Sequence, residues 1–221
     1  TRSYEFARKL IERGHRVTIV CGETSKLDLQ STDAKGIYRG VIDDIDIIQL
    51  NIPYKNSFGK FKRMTVFFKF AWSCIKITMN EDYDLMFATS TPLTIGIPGI
   101  FMKWFGRSKK PFVFEVRDLW PELLIAIGVK NSFFIGFMKI LEKLCYRYSD
   151  VCIGLSPGIC DGIKKIVSEK RIELIPNGSD LDIFQPGSRD DLQLDGICST
   201  DTVAIFTGAH GIANGLDAVL D

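Results

Sequence analysis

Residues 111–122 read Pro111-Phe112-Val113-Phe114-Glu115-Val116-Arg117-Asp118-Leu119-Trp120-Pro121-Glu122. The first half is a short apolar run rich in β-branched and aromatic side chains. Such a run predicts a strand covered on both faces, the condition of a parallel sheet packed between helices. The second half turns polar at Arg117. Open α/β sheets bind their ligands in the crevice beyond the carboxyl ends of the strands, so Arg117–Glu122 is the first place to look for chemistry.

The same texture extends in both directions. Arg2–Arg13 carries Tyr4, Phe6, Ala7, Leu10 and Ile11 at helical spacing, and Gly14 follows as a helix stop. Strands are predicted at Arg16–Cys21, Ile45–Leu50, Leu85–Ala88, Pro111–Val116, Val151–Leu155 and Ile172–Ile175. Helices are predicted at Gly59–Thr78, from Pro92 towards Phe105 with Thr91 as N-cap, at Ser132–Tyr148 and at Pro157–Val167. Short strands alternating with helices make βαβ units. The predicted class is α/β, a doubly wound parallel-sheet Rossmann-like domain, with the start of a second one. Since such a domain begins with a strand and this chain begins in a helix, a first strand and loop are expected upstream.

After Ile175 the composition shifts to Asp, Gly, Ser and Pro. Asn177 and Gly178 are read as a tight turn with a residue near positive φ. The expected organisation is one domain over 1–178, a linker over 179–200, and a strand (Val203–Phe206), loop and helix start over 201–221.

Composition narrows the function classes. The chain has 221 residues, 46% hydrophobic and 25% charged, with a net charge of +1. That balance is globular, and it offers no overall field for nucleic acid. The six cysteines form no C-x-x-C pair and only two histidines are present, which argues against zinc. Several cysteines sit in apolar runs, as small hydrophobes do. The reducing cytosol fits a chain with no need of disulfides. The apolar stretch Leu85–Phe105 is interrupted by Pro92, Gly96, Pro98, Gly99 and Lys103, and is read as strand, turn and helix, not a membrane span.

Three further segments join the Arg117–Glu122 loop in a recognisable order. They are Leu10-Ile11-Glu12-Arg13-Gly14-His15-Arg16-Val17, Ile175-Pro176-Asn177-Gly178-Ser179-Asp180-Leu181-Asp182-Ile183-Phe184-Gln185-Pro186, and Phe206-Thr207-Gly208-Ala209-His210-Gly211. The ordered set resembles the group 1 (family 4) glycosyltransferases of the GT-B fold. The segment Phe114–Glu122 is similar to the branch that includes the O-antigen N-acetyl-L-fucosamine transferases. The resemblance implies transfer of a hexosyl unit from a UDP-sugar to a lipid-linked saccharide on the cytoplasmic face of the inner membrane. It also implies retention of configuration, no metal and no cofactor beyond the donor.

Read on that pattern, Asp118, Arg117 and Glu122 are the candidate catalytic residues. A carboxylate in the loop can accept a hydroxyl proton or steady positive charge at an anomeric carbon. Arg117 can face a diphosphate or pair with Asp118. Many members carry His-Asp where this chain has Arg117-Asp118, so proton transfer through a histidine is not expected at this position. The same residues also fit a structural Arg–Asp pair beside an anchored Trp120. Gly208, His210, Gly211 and Asn214 are the candidate donor-binding residues, in a glycine loop whose backbone can approach a phosphate. Ala209 and Asn214 stand where many relatives have Arg and Lys.

The stretch Tyr54–Asn80 interleaves lysines and aromatics and has no acidic residue. Lys60, Lys62, Arg63 and Lys69 are candidates for contact with an anionic membrane or the acceptor. Lys103, Arg107, Lys109 and Lys110 are read as an extension of that surface. A core-facing helix with a solvated basic side fits the same pattern. Competing functions are an incomplete fragment acting as a membrane- or acceptor-binding module, a nicotinamide-dependent Rossmann enzyme, and a GT-B epimerase. The second of these lacks its G-x-G-x-x-G fingerprint in the sequence.

Overall fold

In the computed structural model the described residues are 2–23, 29, 31–32, 36–55, 57–126, 128–179, 181, 183–187, 196, 198, 201–208, 215, 216 and 218, with the backbone alone at 31, 32 and 60. They form two units, Thr1–Pro176 and Asn177–Asp221.

The first unit is α/β, in the order α1 (Arg2–Ile11), β1 (Thr18–Glu23), β2 (Ser31–Thr32), β3 (Ile37–Ile42), β4 (Ile45–Pro53), α2 (Lys60–Asn80), β5 (Met86–Thr89), α3 (Ile97–Phe105), β6 (Phe112–Val116), α4 (Glu122–Ala126), α5 (Ser132–Tyr148), β7 (Val151–Gly154), α6 (Pro157–Ile166) and β8 (Ile172–Leu174). β5-β6-β7-β8 make a sheet in which every pairing is parallel. β1-β4-β3-β2 make a second sheet that is mixed: β1 runs parallel to β4, β3 antiparallel to β4, and β2 antiparallel to β3.

The antiparallel arm adds β2 and β3, two strands that the sequence pattern did not predict, and its cause is local. Ile42 pairs with Ile45 across Asp43 and Asp44, whose φ values are 50° and 63°. Two consecutive left-handed residues make a primed hairpin turn, which folds the chain straight back on itself.

β4, β6 and β7 are buried as their apolar runs predict, while β1, β3 and β8 are only partly covered. β4 is covered on both faces: Ile48, Leu50 and Ile52 pack with Cys74, Ile77 and Phe70 of α2, and Ile45 and Ile47 with Ala7 of α1. In β6, Phe112, Phe114 and Val116 face Met138, Leu141, Cys145 and Tyr146 of α5. Glu115 points to the other side. Its carboxylate, 1% exposed, receives Arg2 Nε at 2.8 Å and the Thr89 hydroxyl at 2.5 Å. The Arg2 guanidinium also donates to the carbonyls of Ile175 and Pro176.

α1 ends as expected. Gly14, at φ 84°, donates to Ile11 and His15 donates to Leu10, a paired closure of the last turn. The third helix differs from its prediction. Thr91 is not its N-cap; Leu93–Gly96 is a 3-10 turn capped at Pro92, and α3 starts after it with Pro98 in its first turn. Gly96 and Gly99 are needed here. A Cβ on Gly99 would lie 2.4 Å from the Phe112 ring, and one on Gly96 2.4 Å from Cys145 Sγ.

In the second unit, neither Asn177 nor Gly178 has positive φ, and 175–179 carries no turn. Pro176 holds the residue before it extended, which opposes the tight turn expected there. Val203–Phe206 forms no strand, and Val203, Ile205 and Phe206 are exposed. A single apolar run makes a strand only where a neighbour completes its ladder. Most of 188–200 and of the helix expected from Ala213 lies outside the described residues.

Candidate active site

The carboxyl ends of β5 and β6 lie side by side, with Thr89 in register with Glu115. The ladder continues one step beyond the strands. Ser90 N–H donates to the Glu115 carbonyl at 2.8 Å, and Arg117 N–H donates to Ser90 Oγ at 2.9 Å. Ser90 is 1% exposed, so this buried hydroxyl fixes the start of the Arg117–Glu122 loop.

The next residue on each chain meets its neighbour. The Thr91 hydroxyl donates to Asp118 Oδ2 at 3.1 Å. Thr91 sits at φ 140°, a value that β-branched residues avoid. Strained backbone of this kind collects at functional sites. Arg117 is exposed and makes no ion pair with Asp118, so the structural Arg–Asp pair is not formed. Glu122 opens α4, is exposed, and its charge is felt at Glu142 of α5.

Apolar residues hold the loop from below. Leu119 and Trp120 pack on the main core, and Pro121 is fully buried. α6 presses close, since a Cβ on Gly162 would lie 2.5 Å from Leu119 Cδ1. Trp120 Nε1 is buried without a hydrogen-bond partner. An anchored loop with its polar residues held at the rim is how a reactive constellation is kept in place. The arrangement can present one carboxylate, oriented by a hydroxyl, and one guanidinium to a bound substrate.

A profile of glycosyltransferase family 4 matches residues 1–183. The chain belongs to glycosyltransferase family 4. No curated protein matches it significantly. Among solved structures it is similar to sucrose-phosphate synthase from Thermosynechococcus elongatus, with a TM-score of 0.62 and 15% identity over 83% of this chain and 43% of the synthase chain. A shorter piece of the same synthase gives a TM-score of 0.53 and 14% identity, over 79% of this chain and 85% of that piece. The likeness is one of fold, and it identifies the first unit with the Rossmann-like architecture of GT-B enzymes. The chain spans less than half the length of the longer synthase structure.

The family 4 match takes in Arg117, Asp118 and Glu122 and stops short of the glycine loop. Of that loop, Gly208 is an exposed bend, and His210, Gly211 and Asn214 lie outside the described residues. On α2, Lys62 and Lys69 are exposed and Arg63 is half-buried, while the Lys60 side chain is not described. In the second basic patch, Lys103 pairs with Asp150 at 2.6 Å and Lys110 approaches Asp82, which leaves Arg107 and Lys109 as its exposed cations.

Sequence reasoning missed Ser90 and Thr91, reading the Thr91-Pro92 pair as a helix start. The signal was the polar Ser-Thr step straight after an apolar strand, the same pattern that marked Arg117. Among the described residues no cluster of three or more His, Cys, Asp or Glu is arranged to hold a metal. Burial pushes the Cys74 thiol up to about 12 and raises Cys21, Cys145 and Cys152, so these thiols stay protonated at neutral pH.

Proposed function

We propose that this chain is the acceptor-side part of a nucleotide-sugar-dependent glycosyltransferase. The observation that carries the reading is the Thr91–Asp118 contact at the carboxyl ends of two parallel strands in a family 4 domain. Asp118 takes the proton of the incoming hydroxyl or steadies charge at the anomeric carbon as the glycosidic bond to the leaving diphosphate breaks. Arg117 faces that diphosphate. The donor is a UDP-sugar, held by the glycine loop around Gly208, His210, Gly211 and Asn214, and transfer retains configuration without a metal. The acceptor is a lipid-linked saccharide of a surface polysaccharide such as an O-antigen. α2, with Lys60, Lys62, Arg63 and Lys69, works against the anionic inner face of the membrane. The resemblance of Phe114–Glu122 to the N-acetyl-L-fucosamine transferase branch supports a deoxyhexosamine donor.

The test is transfer by the protein with both of its domains. It is incubated with a panel of UDP-sugars and a polyprenyl-diphosphate-linked sugar, and the lipid product is followed by mass. One donor should add one sugar, and Asp118→Asn should abolish the addition. A folded protein that yields no product with any donor refutes the transferase reading and leaves an acceptor-binding module.

A further inference from the structure

A helix at a protein surface turns its apolar stripe inward and its polar face to water. α2 has two apolar stripes. One, with Ala71, Cys74, Ile75 and Ile77, is buried against the sheet and α3. The other faces out: Phe61 is 87% exposed and Trp72 59%, with Phe68 and Met79 also exposed. These four stand at i, i+7, i+11 and i+18, one line along the helix. Lys62, Lys69 and Lys76, all exposed, run at seven-residue spacing directly beside that line.

The outward stripe does not stop at α2. Phe68 meets the ring of Phe137 on α5, and Trp72 meets Phe101 on α3. Phe101 contacts Phe105, and Phe105 contacts Trp104. Trp104 and Phe105 are exposed on α3, as are Phe133, Phe137 and Ile140 on α5, where they follow i, i+4 and i+7. One aromatic track therefore crosses three helices. A continuous exposed apolar surface of this kind marks an interaction site.

Charge selects the occupant. α2, α3 and α5 together carry nine Lys or Arg and a single acidic residue, Glu142, which is buried. A second copy laid on this face would set cation against cation. An anionic lipid surface complements it, with aromatic side chains entering the acyl boundary and lysines meeting headgroups. No helix among the described residues is long and apolar enough to cross a membrane, so the contact is interfacial.

We infer that the outward face of α2, α3 and α5 inserts into an anionic bilayer surface, with Phe61, Phe68, Trp72, Phe105, Phe133 and Phe137 below the headgroups. The inference rests on the membrane-surface part of the proposed function and names the face that meets the lipid. It makes α5, and not only the basic α2, part of the docking surface.

The chain is mixed with vesicles of phosphatidylcholine with and without phosphatidylglycerol, and binding is read by co-sedimentation. Insertion is read by quenching of tryptophan emission with bromine-labelled acyl chains. Binding should require phosphatidylglycerol, and the bromolipid should quench Trp72 and Trp104. Lys62→Gln, Lys69→Gln and Lys76→Gln should each weaken partitioning about five-fold, together on the order of 100-fold. Phe133→Ser with Phe137→Ser should weaken it by at least about ten-fold, with far-UV circular dichroism and the unfolding midpoint unchanged. Binding that survives the phenylalanine changes without quenching overturns the inserted face, while an electrostatic membrane contact stands. No binding to either vesicle removes the membrane reading altogether and leaves the sugar-transfer assay as a separate question. Self-association in the absence of lipid that the same phenylalanine changes abolish would make a second copy the occupant and overturn the inference.

Discussion

Glu142 gives the sharpest quantitative test of the fold. It is 2% exposed in the middle of α5, with Met138, Leu141 and Cys145 buried on either side of it. Its carboxylate accepts the Tyr146 hydroxyl at 2.8 Å, one turn away. Burial pushes its pKa from 4.5 up to about 7, and the negative charge of Glu122 adds to the rise. The Tyr146 hydrogen bond and Lys139 pull the other way without cancelling it. The folded state therefore keeps a proton that the unfolded chain has already lost. Between about 4.5 and 7 the native protein binds more protons than the unfolded one, so stability falls as pH rises through that window. Above 7 the loss is complete, and the size of the shift corresponds to about 3 kcal/mol.

Glu142→Gln removes the charge and keeps an oxygen for Tyr146. At about pH 5 both proteins hold a neutral side chain there, and their stabilities should be close. At about pH 8 the variant should be more stable by roughly 2–3 kcal/mol, a rise in Tm of roughly 5–10 °C for a chain of this size. Urea unfolding across that pH range reads both numbers. A gain of equal size at both pH values, or one confined to low pH, would refute the assignment of the cost to a buried charge.

Two further substitutions probe the packing and the site. Gly99→Ala places a methyl group against the fully buried Phe112 ring and should cost about 1–3 kcal/mol, seen as a lower midpoint in urea with an unchanged slope. In the transfer assay, Thr91→Val should lower kcat/KM by roughly five- to thirty-fold, the worth of one hydrogen bond to a carboxylate of about 1–2 kcal/mol, and Thr91→Ser should restore it. Equal losses with valine and serine would mean that the hydroxyl does not orient Asp118.

The elements that periodicity decided were legible in the sequence. Ser132–Tyr148 has the predicted ends because Asn131 caps it, accepting from Phe134 N–H, and an apolar stripe at helical spacing runs its whole length. β6 and β7 were legible because burial on both faces demands nearly continuous apolar runs. β3 was not. Ile37-Tyr38-Arg39-Gly40-Val41-Ile42 mixes polar and apolar residues at a sheet position whose burial is partial, and its one clear mark, the Asp43-Asp44 turn, lacks the glycine that usually signals a hairpin. In α2 the aromatics do divide between two faces. Phe70 joins the core and Phe67 stacks on Tyr54, while Phe68 and Trp72 turn out. Composition alone placed lysines and aromatics together; only the packing of α3 and α5 beside α2 joins them into one surface.

The site was half legible for a related reason. Arg117 and Asp118 stand out because polar residues at the end of a buried strand have no structural task in the sheet. Their partners come from a different strand. Thr91 and Asp118 are 27 positions apart, and Arg2 and Glu115 are 113 apart. A carboxylate in the middle of an apolar run, as Glu115 is in Phe112–Val116, tells the reader that a cation must reach it, since an unpaired buried charge is too costly to keep. It does not say which cation. The fold supplies Arg2, which spans Glu115 of β6 and the carbonyls of Ile175 and Pro176 where the chain leaves the first unit. The Glu115 carboxylate also takes the Thr89 hydroxyl; Ser90 and Thr91 follow Thr89 directly, and Arg117 and Asp118 follow Glu115 after Val116. The buried ion pair thus lies beside the two strand ends from which the candidate loop springs. Its placement explains why a charge is kept inside a strand that packing alone would make wholly apolar.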